Sequence, residues 1–418
     1  MSRIVVVGSG GREHALAWAM SRHHDVVVTP GNDGIAASGI ACSSASPLNL
    51  SADLFVIGPE VPLVAGLADT LRAQGKSVLG PGAAGAQLEG SKAYMKELLA
   101  TANVPTADFG AFRHVDGALA MLRSMSPPYV VKTDGLAAGK GVLVTNSLSE
   151  AEADVRDKLS GAAFGDAGTT VVIEEGLEGE ECTLLILCDG ERATALLPSQ
   201  DFKRVADGDQ GPNTGGMGAF APLPSVTPAI VDEAMHTIVQ PTMRELRRRG
   251  INYRGVLYGG LMLTKTGPKL LEYNVRFGDP ETQVVVPMMA DDVASSLAAA
   301  AEGRMHDAPR FRGGAAVTVV LAADGYPTKP RTGDVIDGLG ADGQLAVPRE
   351  GVNVFHAGTR RDPDGQFRTA GGRVVALTAV GDSIGAARAR VYEAASSITF
   401  PGRVMRGDIA ANYDGGAP

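Results

Sequence analysis

The stretch that most constrains the fold is PYVVKTDGLAAGKGV, which runs from Pro128 to Val142. Its apolar and β-branched ends predict two short strands joined by a glycine loop, whose backbone N–H groups can approach an anion closely. The loop glycines are Gly135, Gly139 and Gly141. Lys132 ends the first strand and Lys140 lies in the loop, so two ammonium charges converge on one space. The segment therefore predicts a flap over a triphosphate.

This loop is not a Walker A phosphate-binding loop. GLAAGKG has one residue too few between its glycines, and Gly141 follows Lys140 where Ser or Thr would hold magnesium. The segment therefore indicates another nucleotide fold, in which a glycine flap closes between two strands. Taken alone, it also fits a plain hairpin with a solvated tip. The choice depends on finding an adenine pocket, a metal site and an acceptor site elsewhere in the chain.

Length, charge and cysteine content narrow the class of protein. A chain of 418 residues predicts two to four domains. A net charge of −9 argues against general nucleic-acid binding and against an anionic membrane surface. The three cysteines lack metal or redox spacing, and neither a signal peptide nor a membrane-length apolar run is visible. We expect a cytoplasmic monomer that acts on small molecules.

The first strand and turn predict a site for a small phosphate. SRIVVVG at 2–8 reads as a buried parallel strand, and GSGGREHALAWAM follows it. Glu13 stands where a dinucleotide fingerprint would have its third glycine. The helix N-terminus still favours an anion, and Arg12 and His14 add donors, so a monophosphate or sugar phosphate fits better than a pyrophosphate. The alternative is a Rossmann-like turn that binds nothing.

Further strands of this region end in PGNDG, GPEVPL and GPGAAGAQLEGSK, with helices between them. This order predicts an open parallel sheet, in which ligands bind at the carboxyl ends of the strands. The substrate residues predicted at that edge are Gly10, Gly11, Arg12, Glu13, His14, Pro30, Gly31, Asn32, Gly58, Pro59 and Glu60. Ser91 is predicted to cap the next helix, which carries Lys92 and Lys96 on one face.

An adenine site is predicted in TTVVIEEGLEGEECTLLILCDG. The strand at 171–174 leads into Glu175, Gly176 and Leu177, a short hinge with exposed backbone groups and an apolar side chain. Such a hinge suits the edge and face of an adenine ring. Glu180 or Glu181 could then bind ribose hydroxyl groups, although a solvated acidic turn is the plainer explanation of each glutamate alone.

The segment at 196–224 is long, polar and rich in glycine and proline, and loops of this length inside a domain are usually functional or disordered. Strong structural patterns continue on both sides, so we interpret it as an active-site loop. It contains Asp201 and Lys203, followed by a second glycine-rich run. The substrate candidates in that run are Asn213, Gly215, Gly216 and Met217.

A metal site is predicted at the end of the strand pair in YRGVLYGGLMLTKTGPKLLEYNVRFGDPETQ. Glu272 and Asn274 fall on one face of the second strand and offer the oxygen ligands that Mg²⁺ prefers. Arg276 and Asp279 follow in a polar turn within an apolar setting, which favours a functional cluster. From 312 to 418, short strands and one helix predict a small α/β cap domain without an obvious catalytic constellation.

Together these stretches resemble the glycinamide ribonucleotide synthetase family of the ATP-grasp superfamily. The resemblance covers nearly the whole length and rests on GGREHALAW, GPEVPLVAG, QLEGSKAYMK, KTDGLAAGKGV, IEEGLEGEE, SQDFKR, GPNTGGMGA, RFGDPETQ, HAGT and GGRV. It implies an α/β protein of three domains. These are an N-terminal Rossmann-like open parallel sheet (1–103), an ATP-grasp domain (104–311) with a mobile glycine-loop lid (about 118–190), and a C-terminal cap (312–418).

The resemblance implies that ATP, glycine and 5-phosphoribosylamine give glycinamide ribonucleotide, ADP and phosphate in purine synthesis, with Mg²⁺ or Mn²⁺. The residues assigned to ATP are Lys92, Lys132, Gly135, Gly139, Lys140, Gly141, Glu174, Glu175, Leu177 and Glu181. The metal is assigned to Glu272 and Asn274. The candidates for catalysis are Arg276, Lys203 and Asp201. Asp279 joins the substrate residues named above, and Arg276 is expected to hold the glycine carboxylate or the acyl phosphate.

One departure from the wider superfamily leaves the metal preference open. Many ATP-grasp enzymes place a second carboxylate on the preceding strand, which here reads Gly260-Leu261-Met262-Leu263. Three other functions remain possible from the sequence. They are a different ATP-grasp carboxylate–amine ligase, a nicotinamide oxidoreductase suggested by the first turn, and a non-catalytic nucleotide-binding regulator.

Overall fold

The computed structural model describes residues 1–136, 141–161 and 169–413. Its first unit is a parallel sheet in the order β3-β2-β1-β4-β5, which confirms the predicted open sheet. The strands are β1 (Arg3–Gly8), β2 (Asp25–Pro30), β3 (Ala41–Cys42), β4 (Leu54–Ile57) and β5 (Val78–Leu79). The helices of this region are α1 (Gly11–Ser21), α2 (Asp33–Ala37), α3 (Glu60–Val64), α4 (Leu67–Ala73), α5 (Ala83–Gly90) and α6 (Lys92–Thr101).

The glycine-loop region forms a four-stranded antiparallel sheet in the order β6-β9-β7-β8, which we call the lid sheet. Its elements are β6 (Phe109–Phe112), α7 (Val115–Ser124), β7 (Tyr129–Thr133), β8 (Val142–Thr145), α8 (Leu148–Leu159) and β9 (Val171–Glu175). Leu119, Val131 and Ile173 belong to a buried cluster confined to this unit. The predicted site residues Gly139 and Lys140 lie outside the described residues.

A second antiparallel sheet, the central sheet, has the order β11-β10-β16-β17. Its strands are β10 (Glu180–Asp189), β11 (Ala193–Ala195), β16 (Arg254–Thr264) and β17 (Gly267–Asn274). The helices around it are α9 (Pro228–Ala234), a π-helical turn (Met235–Val239), α10 (Gln240–Arg248), α11 (Thr282–Val285) and α12 (Val293–Glu302). Leu184, Leu257 and Leu270 of this sheet belong to a large core shared with the first sheet.

The C-terminal sheet is antiparallel and has the order β12-β15-β18-β22-β19. Its elements are β12 (Gln200–Asp201), β15 (Gly218–Ala221), β18 (Ala315–Ala322), β19 (Val352–His356), β22 (Arg373–Gly381) and α13 (Ile384–Ser396). Two hairpins accompany it, β13 (Arg204–Ala206) with β14 (Gln210–Asn213), and β20 (Thr359–Arg361) with β21 (Phe367–Thr369).

The segment at 196–224 differs from its predicted form. It contains β12 to β15, and β12 and β15 join the C-terminal sheet instead of forming one long loop. These strands have two to four residues each, too few for alternation of polar and apolar side chains to appear in the sequence. In the part of the chain that the structure describes, no helix has the length and apolar character needed to cross a bilayer.

Candidate active site

One cleft of about 1050 Å³ receives residues from the first sheet, the lid sheet, the central sheet and the C-terminal region. The predicted site residues that line it are Arg12, Glu60, Lys92, Lys132, Gly141, Glu174, Glu175, Leu177, Glu181, Asp201, Lys203, Asn213, Gly215, Glu272, Asn274, Arg276 and Asp279. Other predicted residues within the described ranges are not part of its lining. They are Gly10, Gly11, Glu13, His14, Pro30, Gly31, Asn32, Gly58, Pro59, Gly135, Gly216 and Met217.

The hinge end of the cleft offers a flat apolar space. Val130 and Val144 of the lid sheet line it, together with Met262 and Leu271 of the central sheet. The hinge at 175–177 connects the two sheets, since it follows β9 and leads to β10. A side chain at position 176 would collide with the backbone and ring of a neighbouring proline, so only glycine fits this turn. Two apolar walls joined by exposed backbone suit a planar heterocycle.

Beside the hinge, a buried glutamate holds two lysines. The Glu174 carboxylate is 1% exposed and lies 2.9 Å from Lys96 Nζ and 2.9 Å from Lys132 Nζ. The contact of Lys132 with Glu174 Oε1 lacks hydrogen-bond alignment, so we treat it as an ion pair. Lys132 Nζ also donates to Leu271 O at 3.2 Å. The Glu174 side chain therefore positions lysines, and only its backbone remains suited to the predicted adenine contact.

Lys96 is not part of the cleft lining but supports the site through its ion pair with Glu174, a role that sequence reasoning missed. It was predicted to share a helix face with Lys92, and the structure buries it completely, with Nζ donating to Thr106 Oγ1 at 2.8 Å. Burial lowers the pKa of its ammonium from 10.5 to about 8, the Lys132 charge adds to this, and Glu174 opposes it. Lys92 lies in the cleft lining, where its Nζ donates to Gly135 O at 3.0 Å.

Ammonium groups lie near the carboxylate of Glu272, one of the two predicted metal ligands. Burial by itself raises the pKa of Glu272, but the ammonium groups of Lys132 and Lys203 outweigh it and keep the pKa below its ordinary value. Asn274 Oδ1 also lines the cleft and accepts from Arg276 at 3.2 Å. An ionised carboxylate and an amide oxygen on one strand end are suitable ligands for Mg²⁺ or Mn²⁺.

Asp201 is a second acidic side chain in the lining of the cleft. Burial raises its pKa to about 7, the neighbouring carboxylates Glu281 and Glu181 add to the rise, and Lys203 lowers it. Lys203 Nζ contacts Glu181 Oε2 and lies 3.6 Å from Asp201 Oδ1. The cleft therefore brings the catalytic candidates Asp201 and Lys203 together with Glu181, which was predicted to contact ribose, and the lysine is shared between the two carboxylates.

Arg276 has partners that the sequence did not indicate. Its Nε lies 3.3 Å from Glu60 Oε2, and its Nη2 lies 2.9 Å from Glu89 Oε1. These carboxylates raise the pKa of the guanidinium although burial lowers it. With Asn274 and the Phe277 carbonyl as further acceptors, most of its five N–H groups are used. The geometry supports a link between the first and central sheets, and the expected contact with a substrate carboxylate stays a prediction.

The Glu13 side chain stabilises the first turn through two hydrogen bonds. Glu13 Oε2 accepts from Gly10 N at 2.6 Å, and Glu13 Oε1 accepts from Arg12 Nε at 2.8 Å. A side chain on Gly58 would collide with this carboxylate, so Glu13 and Gly58 together shape the turn, and their contact with a substrate stays a prediction. Arg12 Nη1 donates to Phe277 O at 2.8 Å, which leaves the guanidinium fixed at the edge of the cleft.

Two predicted substrate donors, His14 and Asn32, are engaged with other parts of the protein, and their contact with a substrate stays a prediction. His14 Nδ1 accepts from His356 N at 2.9 Å, its Nε2 lies 3.2 Å from Ser38 Oγ, and burial lowers its pKa well below the ordinary value. Asn32 Oδ1 caps α2 by accepting from Ile35 N at 2.9 Å. Both side chains stabilise contacts around the C-terminal region, at positions more than 300 residues away in sequence, which local patterns could not reveal.

The C-terminal region, in which the sequence showed no obvious catalytic constellation, contributes Arg373 to the cleft lining. Arg373 Nη2 donates to Asp279 Oδ2 at 2.9 Å, and its Nη1 donates to the Asp279 carbonyl at 2.8 Å and to Gly215 O. Gln283 Nε2 donates to the other oxygen of Asp279 at 2.7 Å. The GGRV motif thus fixes the glycine-rich run and the GDPET turn against each other.

Comparison with known proteins decides the family. The phosphoribosylglycinamide synthetase N domain matches residues 2–89, the ATP-grasp (A) domain of the same family matches 90–282, and the C domain matches 316–412. The chain belongs to the phosphoribosylglycinamide synthetase family. The resemblance inferred from the motifs is therefore confirmed, as is the three-part α/β fold.

Individual relatives agree with this assignment. A phosphoribosylamine–glycine ligase of Escherichia coli O6:H1 is 46% identical over 423 residues, which cover 97% of each chain. The crystal structure of a phosphoribosylamine–glycine ligase from Thermotoga maritima superposes with a TM-score of 0.83 at 35% identity, covering 98% of this chain and 100% of that one. A biotin carboxylase from Campylobacter jejuni, with a TM-score of 0.73 and 13% identity over 99% of this chain and 97% of its own, shares the fold alone.

Proposed function

We propose that this member of the phosphoribosylglycinamide synthetase family ligates glycine to 5-phosphoribosylamine at the expense of ATP. The products are glycinamide ribonucleotide, ADP and phosphate, and the step belongs to purine (IMP) biosynthesis. The observation that carries the proposal is one shared cleft, whose lining includes the hinge, Lys92 and Lys132, the Glu272–Asn274 pair and Arg12 of the first turn. Family membership along the chain supports the same reaction.

The chemistry requires activation of a carboxylate. A glycine carboxylate oxygen attacks the γ-phosphorus of ATP, ADP leaves, and glycyl phosphate forms. The amine of 5-phosphoribosylamine then attacks the carbonyl carbon, the C–O bond to phosphate breaks, and the nitrogen loses a proton. Both steps depend mainly on alignment and on neutralisation of the phosphate charges.

The nucleotide is proposed to bind between the lid and central sheets. The backbone of 175–177 would contact adenine, Lys92 and Lys132 the phosphates, and Glu181 a ribose hydroxyl group. Gly135 and Gly141 flank the flap over the phosphates. A lid that closes on the bound nucleotide would keep water from the acyl phosphate.

Glu272 and Asn274 are proposed to hold the divalent metal, because both line the cleft and offer hard oxygen ligands. When bound there, Mg²⁺ or Mn²⁺ supplies positive charge beside the phosphate oxygens. Lys132 and Lys203 lie near the Glu272 carboxylate and add further positive charge to the phosphate site.

The amine substrate is proposed to bind between the first turn and the C-terminal region. Arg12 and the N-terminus of α1 would bind its phosphate, and Glu60 and Asp279 lie in the same wall. Asp201 and Lys203 are proposed to act near the glycine carboxylate. We also propose 1–103, 104–311 and 312–418 as the bounds of the three domains, with the lid at about 118–190.

Replacing Arg12 with Ala is expected to raise KM for 5-phosphoribosylamine at least about tenfold and KM for ATP less than about twofold, because a charged hydrogen bond to phosphate is lost. Arg22→Ala is the control, since Arg22 follows the same helix but lies over Trp18, outside the cleft lining. Steady-state kinetics measure both constants, and thermal melting checks that Glu13 tolerates the loss of its partner. Equal increases in both KM values would remove the first turn from the amine site.

The function itself is tested by ADP release from ATP, Mg²⁺ and glycine, with and without 5-phosphoribosylamine formed in place from ribose 5-phosphate and ammonia. Release that requires both co-substrates supports the ligase. Binding of ATP without release under either condition would instead indicate a regulator or a ligase with another acceptor pair. Binding of a nicotinamide dinucleotide in place of ATP would favour an oxidoreductase.

A further inference from the structure

The segment at 406–413, here called the C-terminal segment, runs from the C-terminal region to the cleft. At its start Arg406 is 1% exposed and forms ion pairs with Asp209 at 2.7 Å and with Asp408 at 2.6 Å. The guanidinium also lies over the Phe202 ring, 4.9 Å from its centroid. Asp209 belongs to the connection between β13 and β14, so the segment is tied to the chain that follows Asp201.

Further contacts fix the middle of the C-terminal segment. Gly407 N donates to Asp207 Oδ1 at 2.8 Å. From α13, the hydroxyl of Tyr392 donates to Arg406 O at 2.9 Å and accepts from Ile409 N at 3.0 Å. These buried and backbone contacts give the segment a defined path, whereas a frayed segment would lack them.

At the far end, Tyr413 reaches the strand that follows the hinge. Its hydroxyl donates to Glu180 Oε1 at 2.7 Å, and its ring lies against Phe220 with 4.9 Å between centroids. Both Tyr413 and Glu180 line the cleft. Burial and the Glu180 carboxylate raise the pKa of Tyr413 to about 12, so the phenol remains a donor at neutral pH.

We propose that Tyr413 is a positioning residue of the nucleotide site, which holds the Glu180 carboxylate as an acceptor for a ribose hydroxyl group. The inference rests on the proposed function, in which ATP occupies the hinge end of the cleft. Glu181, the carboxylate proposed above for one ribose hydroxyl group, is paired with Lys203, and Glu180 is assigned to the other hydroxyl group of the same ribose. A carboxylate accepts about four hydrogen bonds, so Glu180 keeps acceptor capacity after binding Tyr413.

The physical effect is pre-organisation. Glu180 is the first residue of β10, and a glutamate at such a position has several accessible rotamers. The Tyr413 hydroxyl selects one of them before the nucleotide binds, which reduces the side-chain entropy lost on binding. The ring contact with Phe220 fixes the position of the Tyr413 hydroxyl group. Pre-organisation of Glu180 therefore depends on both the ring and the hydroxyl group of Tyr413.

The test compares Tyr413→Phe, which removes the hydroxyl and keeps the ring, with Tyr392→Phe as the matched control. The control loosens the same segment from the side of α13 without touching Glu180. For each protein, ATP binding is measured without co-substrates, and KM values are measured for ATP, 2′-deoxy-ATP, 3′-deoxy-ATP and glycine. Thermal melting reports on the stability of both variants.

Tyr413→Phe is expected to weaken ATP binding about fivefold, the size of one lost hydrogen bond, with smaller effects on kcat and on KM for glycine. The preference for ATP over at least one deoxy analogue should shrink, which general loosening of the fold would not cause. Wild-type affinity and preference in Tyr413→Phe would overturn the inference. An equal loss of ATP affinity in Tyr392→Phe would also overturn it, in favour of rigidity along the whole segment.

Failure of the proposed function gives a different result. If the wild-type protein binds ATP but releases no ADP with its co-substrates, the ligase assignment fails, while the two variants still decide the role of Tyr413 from ATP binding alone. If the wild-type protein does not bind ATP, both the function and this inference fall.

Discussion

Glu272→Gln is expected to lower kcat by at least about 100-fold, a loss of about 2.7 kcal/mol of transition-state stabilisation. The substitution keeps the size of the side chain and removes the charge that we assign to the metal. It also removes the carboxylate that faces Lys132 and Lys203, whose ammonium groups hold its pKa below the ordinary value. Steady-state kinetics at several Mg²⁺ and Mn²⁺ concentrations measure the effect, and the apparent metal affinity should fall with kcat.

Glu178→Gln is the control for this variant. Glu178 is exposed on the turn after the hinge and does not belong to the cleft lining, so the same chemical change there should leave kcat within about twofold. Near-normal turnover of Glu272→Gln at ordinary Mg²⁺ would sink the assignment of the metal ligand. Loss of turnover that does not respond to any metal concentration would place Glu272 among the groups that orient the lysines.

Glu174→Gln is expected to reduce the free energy of unfolding by about 3 kcal/mol, because it leaves two buried ammonium groups without their counter-charge. Lys96 and Lys132 both lie 2.9 Å from this carboxylate, and all three side chains are buried. ATP affinity should fall as well, since Lys132 loses one of the contacts that fix it. Equilibrium denaturation by urea at pH 7 and direct ATP titration measure the two effects.

The pH dependence of this deficit has a definite sign. The pKa of Lys96 is about 8 in the wild type, and loss of Glu174 lowers it further because Glu174 raises it. At pH values between the Lys96 pKa of the folded variant and that of the folded wild type, the folded variant binds fewer protons. The difference in free energy of unfolding between the two proteins therefore narrows as the pH rises from 7 towards 9. Glu175→Gln is the control, since Glu175 is exposed and its ion-pair partner Lys269 lies 4.0 Å away. Equal stability of the two variants would contradict the buried-cluster account.

Local sequence patterns predicted the parts of the site that depend on local structure. The parallel sheet, the hinge after β9 and the strand that carries Glu272 and Asn274 were recognisable because each follows from a short run of residues with one periodicity. Glu272 and Asn274 were placed on one face by their spacing alone, and both line the cleft. The recognised motifs extended this to the whole chain and to its family.

The rest depends on contacts between distant segments. Nothing near Arg276 in sequence indicates that Glu60 and Glu89 are its partners, because both come from the first region of the chain. The same holds for Arg373, which reaches Asp279 across 94 positions. His14 illustrates the same limit, since it was predicted to contact a substrate, and the sequence showed no sign that it is buried and accepts a hydrogen bond from His356 N. Pairing of this kind is set by tertiary packing.

The path of the C-terminal segment bears on when the protein becomes active during its synthesis. Domains fold largely in the order in which they leave the ribosome, so the parallel sheet, the lid sheet and the central sheet can form early. The wall that contains Tyr413 is added only after that residue has cleared the ribosome. If Tyr413 positions the nucleotide site as proposed, a nascent chain that lacks this segment would be mostly folded and would bind ATP more weakly than the finished protein.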